Sequence, residues 1–195
     1  MKEKKLIGCL MSLVITGLVI LRIYAVNQNI PLAEKMYYHL GEEVPFEQDI
    51  LVSGGMHGYS IKVNAAEIMD LDSFLEKYDG NIDDIADPPQ KVYDLNVTVT
   101  NEDNTDGGII LYELKLQNKA AISSFNLDCY KIANAEKNYD NAGIAVRPGT
   151  SVTFQLPFSM YRHLFNTRTW ENLETYPMYL TITLYPHKKM IWVNE

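Results

Sequence analysis

Two hydrophobic patterns divide the chain. The first is continuous: residues 6–21 carry no charge, and the apolar character runs on past Arg22 to Val26. Those 21 residues would make roughly 31 Å of helix, enough to cross a bilayer. The run has no polar face, which argues against a buried helix of a soluble protein. The second pattern alternates. Tyr59, Ile61 and Val63 alternate with Ser60, Lys62 and Asn64; Tyr93, Leu95, Val97 and Val99 with Asp94, Asn96 and Thr98. Ile110, Tyr112, Leu114 and Leu116 repeat the period, as do Val152, Phe154 and Leu156, and Met178, Leu180, Ile182 and Leu184. A period of two marks half-buried strands.

Turn signals separate these runs. Ser53-Gly54-Gly55-Met56-His57-Gly58 reads as a glycine-rich loop, residues 81–90 as an Asp- and Pro-containing connection, and Pro148-Gly149 as a turn. The polar residues 101–108 predict a hairpin joining the 93–99 and 110–116 strands. Residues 43–46, 124–131 and 188–193 complete a set of seven or eight strands. One helix interrupts them. Leu71, Phe74, Leu75 and Tyr78 fall at i, i+3, i+4 and i+7, with Asp70 or Asp72 as cap and Gly80 as stop. The pattern predicts a mainly β chain: an antiparallel β-sandwich with one short helix, preceded by a transmembrane helix. The domains expected are 1–26 (cytoplasmic lysines and signal-anchor), 27–35 (stalk) and 36–195 (sandwich).

Charge gives the anchor a direction. Lys2, Lys4, Lys5 and Arg22 face only Glu3 in the first 26 residues, leaving 13 basic against 24 acidic side chains, a net of −11, for the remainder. The lysines before the apolar run predict a cytoplasmic N-terminus and an external C-terminal domain, held in the bilayer through residues 6–26. Secretion after cleavage is the alternative, but Ile23-Tyr24-Ala25 is a poor small-x-small site. Leu6-Ile7-Gly8-Cys9 is like a lipobox, yet its apolar stretch follows the cysteine. The acidic balance argues against a nucleic-acid surface. Apolar residues at 47% and charged residues at 22% are ordinary globular composition. Two cysteines, Cys9 and Cys129, exclude a disulfide-rich scaffold. Cys129 reads as a buried strand residue on the Phe125/Leu127 side.

Lys91-Val92-Tyr93-Asp94-Leu95-Asn96-Val97-Thr98-Val99-Thr100-Asn101 resembles a strand of anchored extracellular immunoglobulin-like domains of Gram-positive bacteria. So does Val146-Arg147-Pro148-Gly149-Thr150-Ser151-Val152-Thr153-Phe154-Gln155-Leu156-Pro157-Phe158. With the order anchor, short strand, Phe74-Leu75 helix, sandwich and Leu184-Tyr185-Pro186, the chain is similar to a membrane-anchored family of unknown function from Clostridium-like bacteria. The resemblance implies an immunoglobulin-like fold and a surface location, and no chemistry.

Catalytic signatures are missing from the sequence: there is no H-E-x-x-H, G-x-S-x-G, P-loop or C-x-x-C. His39, His57, His163 and His187 lie far apart. Asn101, Asp103 and Asp106, followed by Gly107, offer oxygen ligands for calcium but lack the full loop spacing, and a solvated turn has the same composition. Asn81, Asp83, Asp84 and Asp87 are a second acidic candidate. Tyr161, Phe165, Trp170 and Tyr176 share one segment and offer a carbohydrate-stacking surface; the competing reading is core packing. Asn96-Val97-Thr98 matches a glycosylation triplet inside a strand. The reading is an exposed interaction or structural module, without catalysis or cofactor, whose partner is an extracellular protein or the cell wall. A carbohydrate- or wall-binding module, an enzyme assembled from distant loops, and edge-strand oligomerisation are its rivals.

Overall fold

A computed structural model describes residues 2–28, 31–52, 56–119, 121–137 and 142–194, without the side chains of residues 2–6 and 9. The lysine cluster's side chains, Cys9's thiol and the Ser53–Gly55 part of the glycine-rich loop therefore lie outside the described residues. The chain divides into two units, residues 1–32 and 33–195.

The first unit holds α1 (Lys2–Asn27). No proline interrupts its apolar run. Thr16 Oγ1 donates to the Ser12 carbonyl at 2.9 Å, which keeps its hydroxyl satisfied without water. Leu13 is 67% exposed, and large apolar side chains from Ile7 to Val26 are open all round the helix. By length and composition this helix is long and apolar enough to cross a membrane, and it is compatible with a signal anchor or a signal sequence.

The second unit is mainly β, with several sheets and a few helices. One sheet has four strands in the order β2 (Glu43–Pro45), β3 (Tyr59–Asp70), β4 (Lys91–Asn101) and β9 (Thr150–Met160). The other has five: β1 (Glu34–Tyr38), β11 (His187–Trp192), β10 (Tyr179–Thr181), β6 (Lys115–Gln117) and β7 (Ile122–Ser124). A two-stranded ribbon joins β5 (Ile109–Ile110) to β8 (Gly143–Ile144). Ile61, Leu95, Val97 and Phe154 of the four-stranded sheet share one buried cluster with Leu116, Leu180 and Ile191 of the five-stranded sheet. The core thus lies between these two sheets. Pro157 falls on β9, an edge strand, where its missing N–H costs no ladder bond.

α2 (Leu71–Lys77) forms where the periodicity places it. Asp70 is its cap, accepting from the Ser73 N–H at 2.8 Å. Asp79, not glycine, takes the left-handed turn at φ 51°. Gly80 then bonds the Leu75 carbonyl at 2.9 Å. A Cβ at Gly80 would meet Ile132 Cγ2 at 2.6 Å, so this glycine serves close packing.

Several expectations are corrected. Residues 93–99 and 110–116 do not form a hairpin: β4 pairs with β3 and β9, and β6 with β10 and β7. A 3₁₀ turn at Leu111–Glu113 shifts the alternation, so Leu111 is buried and Tyr112 is half in solvent. The expected strand over 124–131 is mostly α3 (Leu127–Ala133), because Asn126 accepts from the Cys129 N–H at 2.9 Å and caps it. Cys129 is buried, but among Leu71, Phe74, Ile85 and Val92 beneath α2. The single helix becomes several, with α4 (Thr167–Glu171) and four 3₁₀ turns among the described residues. The arrangement is not wholly antiparallel: β1 runs parallel to β11, and Glu34 and Lys35, read as stalk, are its first residues.

Candidate functional site

The four aromatics of the 161–176 segment do not form one open strip. Phe165 is buried in the core. Trp170 is half-buried on α4 with its ring 5.9 Å from Phe165. The Lys91 ammonium and the Arg162 guanidinium each lie 5.8 Å from its centre, so cations already occupy positions against the π-system. Tyr161 donates its hydroxyl to Asp87 Oδ2 at 2.8 Å, and burial raises its pKa. It lines a groove of about 300 Å³ with Asp87, Phe125, Asn126 and Leu164. Tyr176 is half-buried, and its carbonyl accepts from Asn194 Nδ2 at 2.5 Å.

The calcium candidates separate in the same way. Asn101 is buried, and its amide donates to the carbonyls of Asn104 (2.9 Å) and Val146 (2.6 Å) while its oxygen accepts from the Asn104 N–H (2.8 Å). Asn104 Oδ1 accepts from the N–H groups of Asp106 and Gly107. This is side-chain-to-backbone turn chemistry, with Asp103 and Asp106 exposed. Asn81 likewise turns its oxygen to the Asp83 N–H. Among the described residues no three His, Cys, Asp or Glu side chains converge as a metal site.

Two buried charge clusters went unread in the sequence. Asp94 on β4 is 3% exposed; the Tyr78 hydroxyl donates to it at 2.5 Å and Lys77 reaches it at 3.2 Å, tying α2 to the sheet. Burial raises the Asp94 carboxyl against the pull of Tyr78 and Lys77. Burial, with Asp94, pushes the Tyr78 hydroxyl up to about 12. The second cluster closes one end of the core. The Lys189 ammonium on β11 touches Asp49 Oδ2 (2.7 Å), Glu47 Oε2 (2.5 Å) and the Pro45 carbonyl of β2 (2.7 Å), so it spans the two sheets. Asp49 Oδ1 also meets His187 Nδ1 at 2.9 Å. Burial works against the Asp49 charge, but hydrogen bonds from Lys189 and His187 outweigh it and hold the carboxyl below its ordinary value. A readable signal existed: Lys189 shares its strand parity with Ile191 and Val193, so alternation turns it inward.

Cys129 offers no accessible nucleophile. Burial, with Asp128 and Asp94 nearby, pushes its thiol up to about 12. In a detergent-solubilised Cys9→Ser chain, a thiol reagent is expected to leave Cys129 unlabelled until denaturant unfolds the domain. Native-state labelling at the rate of a free thiol would refute its burial.

The outward face of the five-stranded sheet carries another grouping. Tyr37 stacks on Trp192 (5.5 Å, 12° between planes), and Tyr179 meets Trp192 edge-on at 5.4 Å. Cross-strand pairing sets Lys35 beside Lys188 on this same face.

Residues 35–189 match the model of a domain of unknown function, DUF5028, over most of the chain. The chain belongs to that family. The DUF5028 match runs from the second residue of β1 to Lys189, so it takes in both charge clusters and the Lys35–Lys188 pair and stops short of Trp192. Neither a search of curated proteins nor one of solved structures finds a match.

Proposed function

We propose that this DUF5028 protein is a single-pass membrane protein. In this reading its N-terminal lysines stay in the cytoplasm, α1 spans the bilayer, and an acidic immunoglobulin-like β-sandwich outside acts as a binding or structural module rather than an enzyme. The observation that carries the reading is α1: an apolar helix exposed all round, joined to a β domain with its own core. Such a helix has no stable place in water. Two of the histidines are held by local partners, which supports the non-catalytic reading. His187 pairs with Asp49, and His57 Nδ1 lies 3.2 Å from the Glu47 carbonyl. Phe165 in the core and cations against Trp170 weigh against an aromatic sugar platform in that segment.

The test is extraction and topology. The full chain is expected to stay in the membrane pellet at alkaline pH, with alkaline phosphatase fused after Glu195 active. Leu13→Arg with Leu18→Arg is expected to release it, since each arginine costs about 2.5–3.5 kcal/mol at a helix centre. A full-length chain found soluble, or an inactive phosphatase fusion, overturns the reading; a mature chain lacking residues 1–26 replaces the anchor with a cleaved signal.

A further inference from the structure

The outward face of the five-stranded sheet differs from the rest of the domain. Beyond residue 26 the chain has a net charge of −11, yet no Asp or Glu occupies an outward register position from β1 across to β7. Lys35 and Lys188 sit side by side there, and neither has a carboxylate within 4.0 Å among the described residues. Burial and the neighbouring Lys35 both lower the pKa of the Lys188 ammonium. Like charges across a strand pair destabilise a sheet. Beside them lie Tyr37, 49% exposed, and half-buried Trp192 and Tyr179, locked together as a ring cluster. Lysine with Trp and Tyr is the composition of a surface that meets lipid headgroups, the ammonium reaching phosphate and the rings lying at the apolar boundary.

Chain length keeps the lipid surface within reach of this face. Six residues separate Asn27 from Glu34. At about 3.4 Å per residue the link spans at most ~24 Å, and the interfacial zone outside the hydrocarbon is itself ~5–8 Å deep. Lys35 and Tyr37, one and three residues beyond Glu34, therefore stand at most ~27 and ~34 Å along the chain from the end of α1. We infer that the Lys35–Lys188–Tyr37–Trp192–Tyr179 face docks on the anionic lipid surface of the same membrane that holds α1. The inference rests on the anchor reading above. It makes the domain a membrane-lying module, with its other sheet and the 161–176 segment available to partners.

The experiment uses the full chain in lipid nanodiscs. Trp170→Phe leaves Trp192 as the single tryptophan, and bromine-labelled lipids quench tryptophan only on contact. Strong quenching of Trp192 is expected in discs of equimolar phosphatidylcholine and phosphatidylglycerol, and weak quenching in phosphatidylcholine alone. Lys35→Gln with Lys188→Gln is expected to lower the docked-to-free ratio about 30-fold, and salt at about 1 M, where the screening length is ~3 Å, to act likewise. The Trp192→Phe chain, reporting from Trp170, is expected to stay unquenched. Trp192 equally open to aqueous iodide in both discs overturns lipid docking and leaves the face to a soluble glycan or protein. A chain that never enters the discs overturns the anchor reading instead, so the two failures are told apart.

Discussion

Lys189→Met is expected to destabilise the domain by about 3–5 kcal/mol, the usual cost of removing one partner from a buried ion pair. The Lys189 side chain is 1% exposed and that of Asp49 2%. Methionine restores the volume and leaves the Asp49 carboxylate in the core end with only His187 beside it. It also cuts the bond to the Pro45 carbonyl, the point where this side chain holds the two sheets together. The pH dependence follows from the shifts. Asp49 titrates below its ordinary value when folded, so its stabilisation is present above about pH 4 and is lost as pH falls through the folded value. Lys189 is raised, because bonds to Asp49 and Glu47 outweigh the effect of burial, so its stabilisation is present at neutral pH and lost as pH climbs past its folded value. Urea midpoints across pH are expected to show both limbs in the parent chain, whereas the variant lacks the alkaline limb and keeps only the part of the acid limb that His187 supplies. Lys189→Met with Asp49→Leu is expected to recover part of the loss. A single variant as stable as the parent at neutral pH sinks the clamp.

Phe158→Ala is expected to cost a similar amount, about 3–5 kcal/mol, by leaving a cavity. Phe158 is fully buried on β9, opposite Tyr93 and bridged to Phe125. That bridge joins the edge of the four-stranded sheet to the chain leaving β7, and Ser123 Oγ donating to the Ser159 carbonyl closes the same seam. Phe158→Leu keeps most of the volume and is expected to cost less than about 1.5 kcal/mol. Equal urea midpoints for the alanine variant and the parent would show that the seam carries no stability.

The legible parts of the fold were those governed by local rules. β3, β4 and β9 follow the period of two, and Leu71, Phe74 and the Asp70 cap mark α2. What was lost depended on partners distant in sequence. Nothing near residues 93–99 shows that their neighbours are β3 and β9, because two strands flanking a polar loop look alike whether or not they pair. Leu111 and Leu114 are three apart, and a single 3₁₀ turn between them flips the face on which later residues appear. In Phe125-Asn126-Leu127-Asp128-Cys129 the alternation is that of a strand, yet the Asn126 cap selects a helix. For the site, residue type misled where geometry decides. Asn101 has the oxygens of a ligand but spends them on backbone, whereas Lys35 and Lys188 look like ordinary surface lysines until β1 and β11 are brought together.

The parallel pairing of β1 with β11 has a mechanical consequence. The first strand of the domain and its last lie side by side, in register from Glu34↔His187 to Tyr38↔Ile191. A pull entering at Glu34 and opposed at Trp192 acts on opposite ends of that ladder. The load falls on all its rungs together, in shear, rather than opening them one at a time like a zip. Tension between the two ends of the domain is therefore met first by a strand pair whose hydrogen bonds must break in concert.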